Sequence, residues 1–491
     1  MEPPLLTLIQ TRLGLRNSTT RLPFRYGKAC LTRCPQAVLG ATIEIAGEQV
    51  EGYAGDCFPP GWFDKSGGTF AEQIDDMLSV ISLAEEAFAQ AAHEPTTLFA
   101  AWLDTHREVH ERSALRGFTP LLASFGVSMV ERAMLDALCR ARGVSFFAAL
   151  RENLPGIAAA QVHPELAGLQ PVDWLPSRPL TSIHVRHTVG LADPLTASDI
   201  PPEERRDDGL PQALEEYIRQ TGTRYFKVKV SGELDRDLER LTAIASLAEN
   251  YLESDYRLTL DGNEQFRSAE EFDAIIEAVR GEPRLQTLLA NVLAVEQPLE
   301  RSIALDAAHT AGIQRLGQRG LGQRVPVIID ESDGTLDAYP QAIDLGYRGV
   351  SSKNCKGPIK SVLNAGLTWL RNDRGRRQGY LMTGDDLFSV GIIPVQADLC
   401  LAAAFGLTHV ERNGHHYHPG LSYLPRQQQQ AALAAHADMY GQTGSVIGPR
   451  VMQGRLEIGS LQCAGFGFAV LPDFTSMQSP EQWDYASLGL E

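Results

Sequence analysis

The sequence predicts an α/β protein: a TIM-type barrel of eight βα units, (β/α)8 or its modified (β/α)7β form, joined to an N-terminal α+β capping domain. Three observations predict it. Three apolar runs each close on a carboxylate, at Asp261, Glu296 and Asp330, at intervals of 35 and 34 residues, enough for one helix and one return strand between neighbours. From Ser182 onward apolar segments alternate with helical stretches eight times over, which favours a closed parallel barrel over an open sheet. Residues 1–175 have another texture, a few strands followed by three long helices.

In that first part, residues 23–30 and 37–46 read as strands, with Gly47-Glu48 as the turn into residues 50–54. Helical patterns follow at about 71–92, 97–113 and 120–142, the last with Met129, Ala133, Leu135, Ala137 and Leu138 as its apolar stripe. The proline-rich segment 168–179 reads as a linker. The barrel is expected over 180–445, with strands at 183–189, 226–230, 257–260, 292–295, 325–329, 349–352, 380–383 and 407–410. Residues 193–208 and 314–324 read as surface insertions, 371–377 as a solvated loop and 427–430 as part of an exposed helix. The tail from about 445 to 491 is expected to pack back on the capping domain.

Composition limits the partners. The chain has 491 residues, 43% of them hydrophobic, with a formal charge of −17, which works against binding a nucleic-acid backbone. No apolar run reaches the roughly twenty residues of a membrane span, and the first residues lack the basic and apolar regions of a secretory signal. Seven cysteines, at 30, 34, 57, 139, 355, 400 and 463, show no zinc-type pairing. A soluble, cytoplasmic protein with reduced thiols is expected, and self-association into a homo-oligomer is left open.

The candidate site lies at the strand ends. In Arg257-Leu-Thr-Leu-Asp261-Gly-Asn263-Glu264, alternating apolar residues run into carboxylate and amide, as a buried strand does when it enters a polar site at its carboxyl end. Upstream, Lys227 and Lys229 share one strand face by the period of two; downstream, a strand ends on Lys353, with Lys356 in the loop beyond. Strands on opposite walls face each other across a barrel mouth, so a lysine from each side would flank whatever the acids hold. Taken singly, each acid also fits a cap on the following helix. Three converging carboxylates would repel one another without a cation, and hard oxygen ligands suit Mg²⁺, with Mn²⁺ as the alternative.

Lys227-Val-Lys229, Asp261-Gly-Asn263, Glu296-Gln-Pro298, Asp330-Glu331-Ser332 and Lys353, in this order, resemble the enolase superfamily. The branch they resemble is that of muconate-lactonizing enzymes and dipeptide epimerases, in the mandelate racemase/muconate lactonizing enzyme family. The likeness extends to the capping domain, through residues 128–143, and to the tail Ala464-Gly-Phe-Gly-Phe468. It implies Asp261, Glu296 and Asp330 as metal ligands and Lys229 and Lys353 as the acid/base pair, with Lys227 in support. It also implies removal of the proton α to a substrate carboxylate through a metal-stabilised enolate. The outcome would be racemisation, epimerisation or cycloisomerisation, or elimination as in o-succinylbenzoate synthases.

Glu331 competes with Asp330, since adjacent strand residues face opposite ways; the resemblance favours Asp330. No histidine ends the seventh strand, which disfavours the mandelate-racemase branch itself, and paired aspartates are lacking on strand eight, against a dipeptide substrate. Asn263, Asp386, His415, Trp62 and Phe58 are the candidate substrate contacts. The last two lie on a glycine- and proline-framed loop read as a lid, and His415 in a loop, His415-His-Tyr-His418, that touches substrate or is plain surface. Two other readings stay open: a Schiff-base aldolase on Lys229 or Lys353, and an inactive barrel that only binds metal or anions.

Overall fold

A computed structural model describes residues 2–26, 29–65, 67–319, 325–374 and 379–490. The chain opens with a three-stranded antiparallel sheet, β1 (Thr7–Tyr26), β2 (Ala29–Ile45) and β3 (Glu48–Cys57). β1 starts well before the strand expected at residue 23. Its arm alternates poorly in sequence, because the register against β2 slips between Thr19 and Phe24. The β2–β3 turn is Ala46-Gly47, both at positive φ (53° and 84°), with Glu48 already paired to Ile45. That is one residue earlier than the expected Gly47-Glu48, and it fits the two left-handed positions a tight hairpin needs.

Three helices follow, α1 (Phe70–Ala91) and α3 (Pro120–Arg142) against this sheet and α2 (Leu98–Leu115) against those two helices. Each begins at a threonine that caps the third amide of its first turn: Thr69, Thr97 and Thr119. α3 carries proline at its first position and ends on Gly143 at φ 65°. It is buried on every side from Leu121 to Cys139, between the sheet and the barrel. Gly52 of β3 makes this contact possible, since a Cβ there would stand 2.1 Å from the backbone nitrogen of Ala137. Gly52→Ala is therefore expected to cost at least about 3 kcal/mol, read as a lowered denaturation midpoint; a variant that unfolds with the wild type would show that α3 is not seated on β3.

The barrel strands are β4 (Ser182–Val189), β5 (Tyr225–Lys229), β6 (Arg257–Asp261), β7 (Val292–Glu296), β8 (Val327–Ile328), β9 (Gly349–Ser352), β10 (Leu381–Gly384) and β11 (His409–Arg412). They pair in parallel in the order β8-β7-β6-β5-β4-β11-β10-β9. A bridge between Ile329 and Val350 joins β8 to β9 and closes the ring. The capping domain docks through Glu131 of α3, fully buried, which accepts from the Trp102 indole (3.1 Å) and from the amide of Ile359 (2.6 Å) at the start of helix Pro358–Arg374.

The tail returns to the capping domain. Leu15 and Gln478 exchange backbone hydrogen bonds, Trp483 donates to Asn17, Arg33 donates to the Leu488 carbonyl, and the Phe466 amide donates to Asp136 of α3.

Several expectations are corrected. The 168–179 segment is packed rather than free: Pro171–Trp174 forms a helical turn, and Trp174 is buried against Gly366. Residues 371–374 complete a helix, with Arg371 paired to Glu165, and 375–377 lie outside the described residues. Of the insertion at 314–324, residues 314–319 belong to helix Thr310–Arg319 and 320–324 lie outside the described residues. The excursion 193–208 does run over the surface, where Asp208 is clamped by Arg21 of β1. Gln427–Gln430 sit on helix Arg426–Ala435, with Gln429 turned inward. All seven cysteines are free thiols, and no helix among the described residues is long and apolar enough to cross a membrane.

Candidate active site

The carboxyl ends of the barrel strands carry a dense, buried set of charges. Lys227 is its hub: the ammonium lies 2.8 Å from Glu296, 2.8 Å from Glu411 and 3.1 Å from Asp261, and is 1% exposed. Burial works against that charge, but Asp261, Asp385 and Glu296 outweigh it and hold Lys227 well above the usual lysine range. Lys229, two residues on and on the same face, reaches Asp261 at 2.5 Å. Across the mouth Lys353 pairs with Asp330 at 2.8 Å, and Lys356 holds the other Asp330 oxygen at 3.0 Å. β5 and β9 stand four strands apart in either direction round the closed ring, so Lys229 and Lys353 face each other across its full width.

The strand ends are held in uncommon backbone geometry. Asn263, Glu264 and Gln297 take positive φ (41°, 64° and 35°), a cost that a site tolerates when its surroundings fix it. The Gln297 carboxamide ties β7 to β8: its oxygen accepts from the amides of Asp330 (2.8 Å) and Ser332 (3.2 Å). Below the hub, Arg186 of β4 is fully buried in the barrel, bonded to Asp385 and, at 2.8 Å, to the His409 ring.

A small cleft of about 50 Å³ opens between the lysines. It is lined by Lys227, Lys229, Asn263, Asp330, Glu331, Lys353 and Asp386, all named from the sequence, and by Trp62 of the lid. The Trp62 ring lies over the Lys353 ammonium at 4.7 Å. Arg301 holds this lid closed by donating to the carbonyls of Trp62 (3.0 Å) and Phe63 (3.1 Å) while gripping Glu264 with two nitrogens. Lys65 pairs with the same Glu264. Arg301→Ala is expected to free the Trp62 loop, read as faster limited proteolysis within residues 59–65; cleavage at the wild-type rate would mean that Arg301 does not hold the loop.

Two named residues lie elsewhere. Phe58 is fully buried, edge-on to Phe125, in the capping-domain core. His415 lies in the helical turn Gly414–Tyr417, bonded to His187 at 3.1 Å, and lines a separate cavity of about 110 Å³. The histidine run is thus not an open loop. Gly414 packs where a Cβ would meet the Ser389 carbonyl at 2.3 Å, which presses His416 and His418 inside.

Other lining residues escaped the sequence reading. Phe24 and Tyr26 arrive from the β1 arm, and Phe24 stacks on Phe388 at 4.7 Å. Glu411 ends β11 as the other acids end their strands, accepting from Thr188 (2.7 Å) and Asn413 (3.2 Å). Its signal was there, an apolar strand closing on an acid, one residue past the expected strand end.

Among the described residues no three His, Cys, Asp or Glu side chains converge as a ready-made metal cage, because Asp261 and Asp330 are turned onto lysines. The donor set nevertheless suits a hard cation. One carboxylate oxygen of Glu296 and one of Glu331 are buried without a hydrogen-bond partner. Burial and the neighbouring Asp385 push Glu296 well above the usual carboxylate range, while burial and Asp330 push Glu331 up to about 7. Both shifts mark a place short of positive charge.

No protein-family model matches the sequence, and no curated protein matches it. Solved structures do. A mandelate racemase/muconate lactonizing protein from Herpetosiphon aurantiacus superposes with a TM-score of 0.57 at 18% identity, over 96% of this chain and 100% of that one. The 2-chloromuconate cycloisomerase of Rhodococcus opacus gives 0.58 at 15% identity, over 94% and 96%. A dipeptide epimerase from Cytophaga hutchinsonii, complexed with Mg and the dipeptide D-Ala-L-Val, gives 0.56 at 14%, over 96% and 98%. The chain therefore has the fold of these solved proteins, a closed parallel barrel joined to an α+β capping domain.

Proposed function

We propose that the protein is an isomerase that removes and returns the proton α to a small substrate's carboxylate, with Asp261, Glu296 and Asp330 sharing one Mg²⁺. The observation that carries this is the placement of Lys229 and Lys353 on opposite walls of one cleft, with the three acids ending the three strands between theirs and Asp330 lining the cleft itself. Support for the ion comes from the unpartnered oxygens of Glu296 and Glu331 and from the Mg present in a protein of the same fold. When bound, the ion supplies positive charge to the substrate carboxylate and so acidifies the adjacent C–H.

The chain's own groups do the rest. Lys229 and Lys353 reach the cleft from opposite faces, where each would take or give a proton; were Asp261 and Asp330 to hold the ion, the two ammoniums would be released from these partners. Lys227, anchored between Glu296 and Glu411, keeps a fixed positive charge beneath the substrate. Trp62 shuts water from Lys353, and Phe24 and Phe388 form an apolar wall. Two-sided proton transfer gives racemisation or epimerisation; use of one lysine alone gives cycloisomerisation or elimination.

The test has two arms. Adding Mg²⁺ to chelator-stripped protein should raise its melting temperature, since the ion binds the folded state only, and Glu296→Gln should remove most of that rise. A screen of carboxylic acids with Mg²⁺ should then reveal turnover. A wild-type melting curve indifferent to divalent ions would sink the shared-ion assignment.

A further inference from the structure

At the opposite, amino-terminal face of the barrel lies a second concavity, an open cleft of about 550 Å³. Arg224 and Arg257, at the starts of β5 and β6, border it together with Arg455, which pairs across from His184 of β4. The acid there is Asp255, and it is bonded to Arg224. Arg257 makes its bonds to neutral oxygens, those of Tyr256 (2.7 Å) and Asn291 (3.0 Å), and Arg455 is exposed with no carboxylate in ion-pair reach among the described residues. Three guanidiniums thus face one carboxylate, on a chain whose formal charge is −17.

Such crowding raises the free energy of the folded protein unless something of opposite sign is shared. Two buried nitrogens at the same place, Nε of Arg224 and Nδ1 of His184, have no hydrogen-bond partner, and burial together with Arg455 and Arg224 lowers His184 to about 4. All three cations are arginines, whose planar forks match the oxygens of a tetrahedral oxyanion better than a lysine's point charge does.

We propose that this cleft is a binding site for a multiply charged oxyanion of the phosphoryl class, carried by a soluble small molecule. It is separate from the catalytic mouth. His184 and Tyr225 line it, their rings 4.5 Å apart, and behind them His409, 5.2 Å from the Tyr225 ring, bonds Arg186 inside the barrel.

Calorimetric titration of the full chain with inorganic pyrophosphate, at low salt and with chelator to remove divalent ions, tests the assignment. Saturable binding is expected, weakened about ten-fold by Arg455→Gln and again by Arg257→Gln. Arg280→Gln, on an exposed helix paired with Glu277, should bind as the wild type does, and so should Lys229→Met at the mouth. Among the described residues no side-chain bond of Arg455 holds the fold, so its variant separates lost binding from lost structure; pyrophosphate should raise the melting temperature of the wild type and not of this variant. Absence of saturable heat in the wild type, undiminished affinity in both cleft variants, or loss of binding in Lys229→Met would each overturn the proposal.

Discussion

Lys229→Ala is expected to abolish exchange of the α-proton with solvent deuterium in one enantiomer of a competent substrate while sparing the other, and Lys353→Ala to do the reverse. The reciprocity follows from their placement on opposite walls, four strands apart either way. The loss on the affected face should be about a hundred- to ten-thousand-fold, the usual contribution of a positioned acid or base. If both variants lose all exchange, one lysine serves as an electrostatic partner, as suits a cycloisomerase or a syn elimination. Wild-type exchange on both faces in both variants would remove the lysines from the proton chemistry altogether.

The second large effect is on stability in acid. His106, His187 and His416 are all buried, and burial lowers each below the usual value near 6.5: His187 and His416 to about 3, with His106 well below its normal range. Their folded-state pKa values lie below the unfolded ones. Their contribution is therefore complete above about pH 6.5 and is lost as pH falls toward 3, because the unfolded chain takes up protons that the folded chain refuses. At about pH 5 each costs about 2 kcal/mol. Buried carboxylates raised above their usual range, Glu131 to about 8 and Glu331 to about 7, work the other way over the same interval, so the histidine share is read as a difference between the wild type and a histidine variant. Relative to the wild type, His187→Phe should gain melting temperature as pH falls from about 7 to about 5, and a difference that does not change with pH would contradict the burial of that ring.

What the sequence disclosed of the site follows from how a barrel is written. Each strand is a short alternating run, and its last residue meets solvent at one face. Asp261, Glu296, Asp330 and the lysines announce themselves as abrupt polar endings. Residues delivered from afar carry no such mark. Phe24 and Tyr26 belong to an arm whose register slips between Thr19 and Phe24, and nothing local says that it reaches the barrel mouth. The aromatic lid shows the same limit: the loop was legible, but which ring faces the cleft was not, and Trp62 does while Phe58 turns inward. The histidines misled for a related reason. The lack of strand or helix spacing suggested a loop at the substrate or the surface, whereas the close approach allowed by Gly414 puts His416 and His418 in the interior.

The return of the tail to the first strand has a consequence for how the protein is made. Leu15 waits for Gln478, Asn17 for Trp483 and Arg33 for the Leu488 carbonyl, so an early segment of the sequence is completed by a late one. At about 5–20 residues per second, synthesis of the stretch between the two segments takes on the order of half a minute to a minute and a half. Through that interval the three-stranded sheet lacks its final cover, and its helices have no finished barrel to rest on. A nascent or truncated chain that stops before residue 464 cannot seat Phe466 on Asp136, and its opening arm, with Leu15 bare, is the part most open to pairing with another copy.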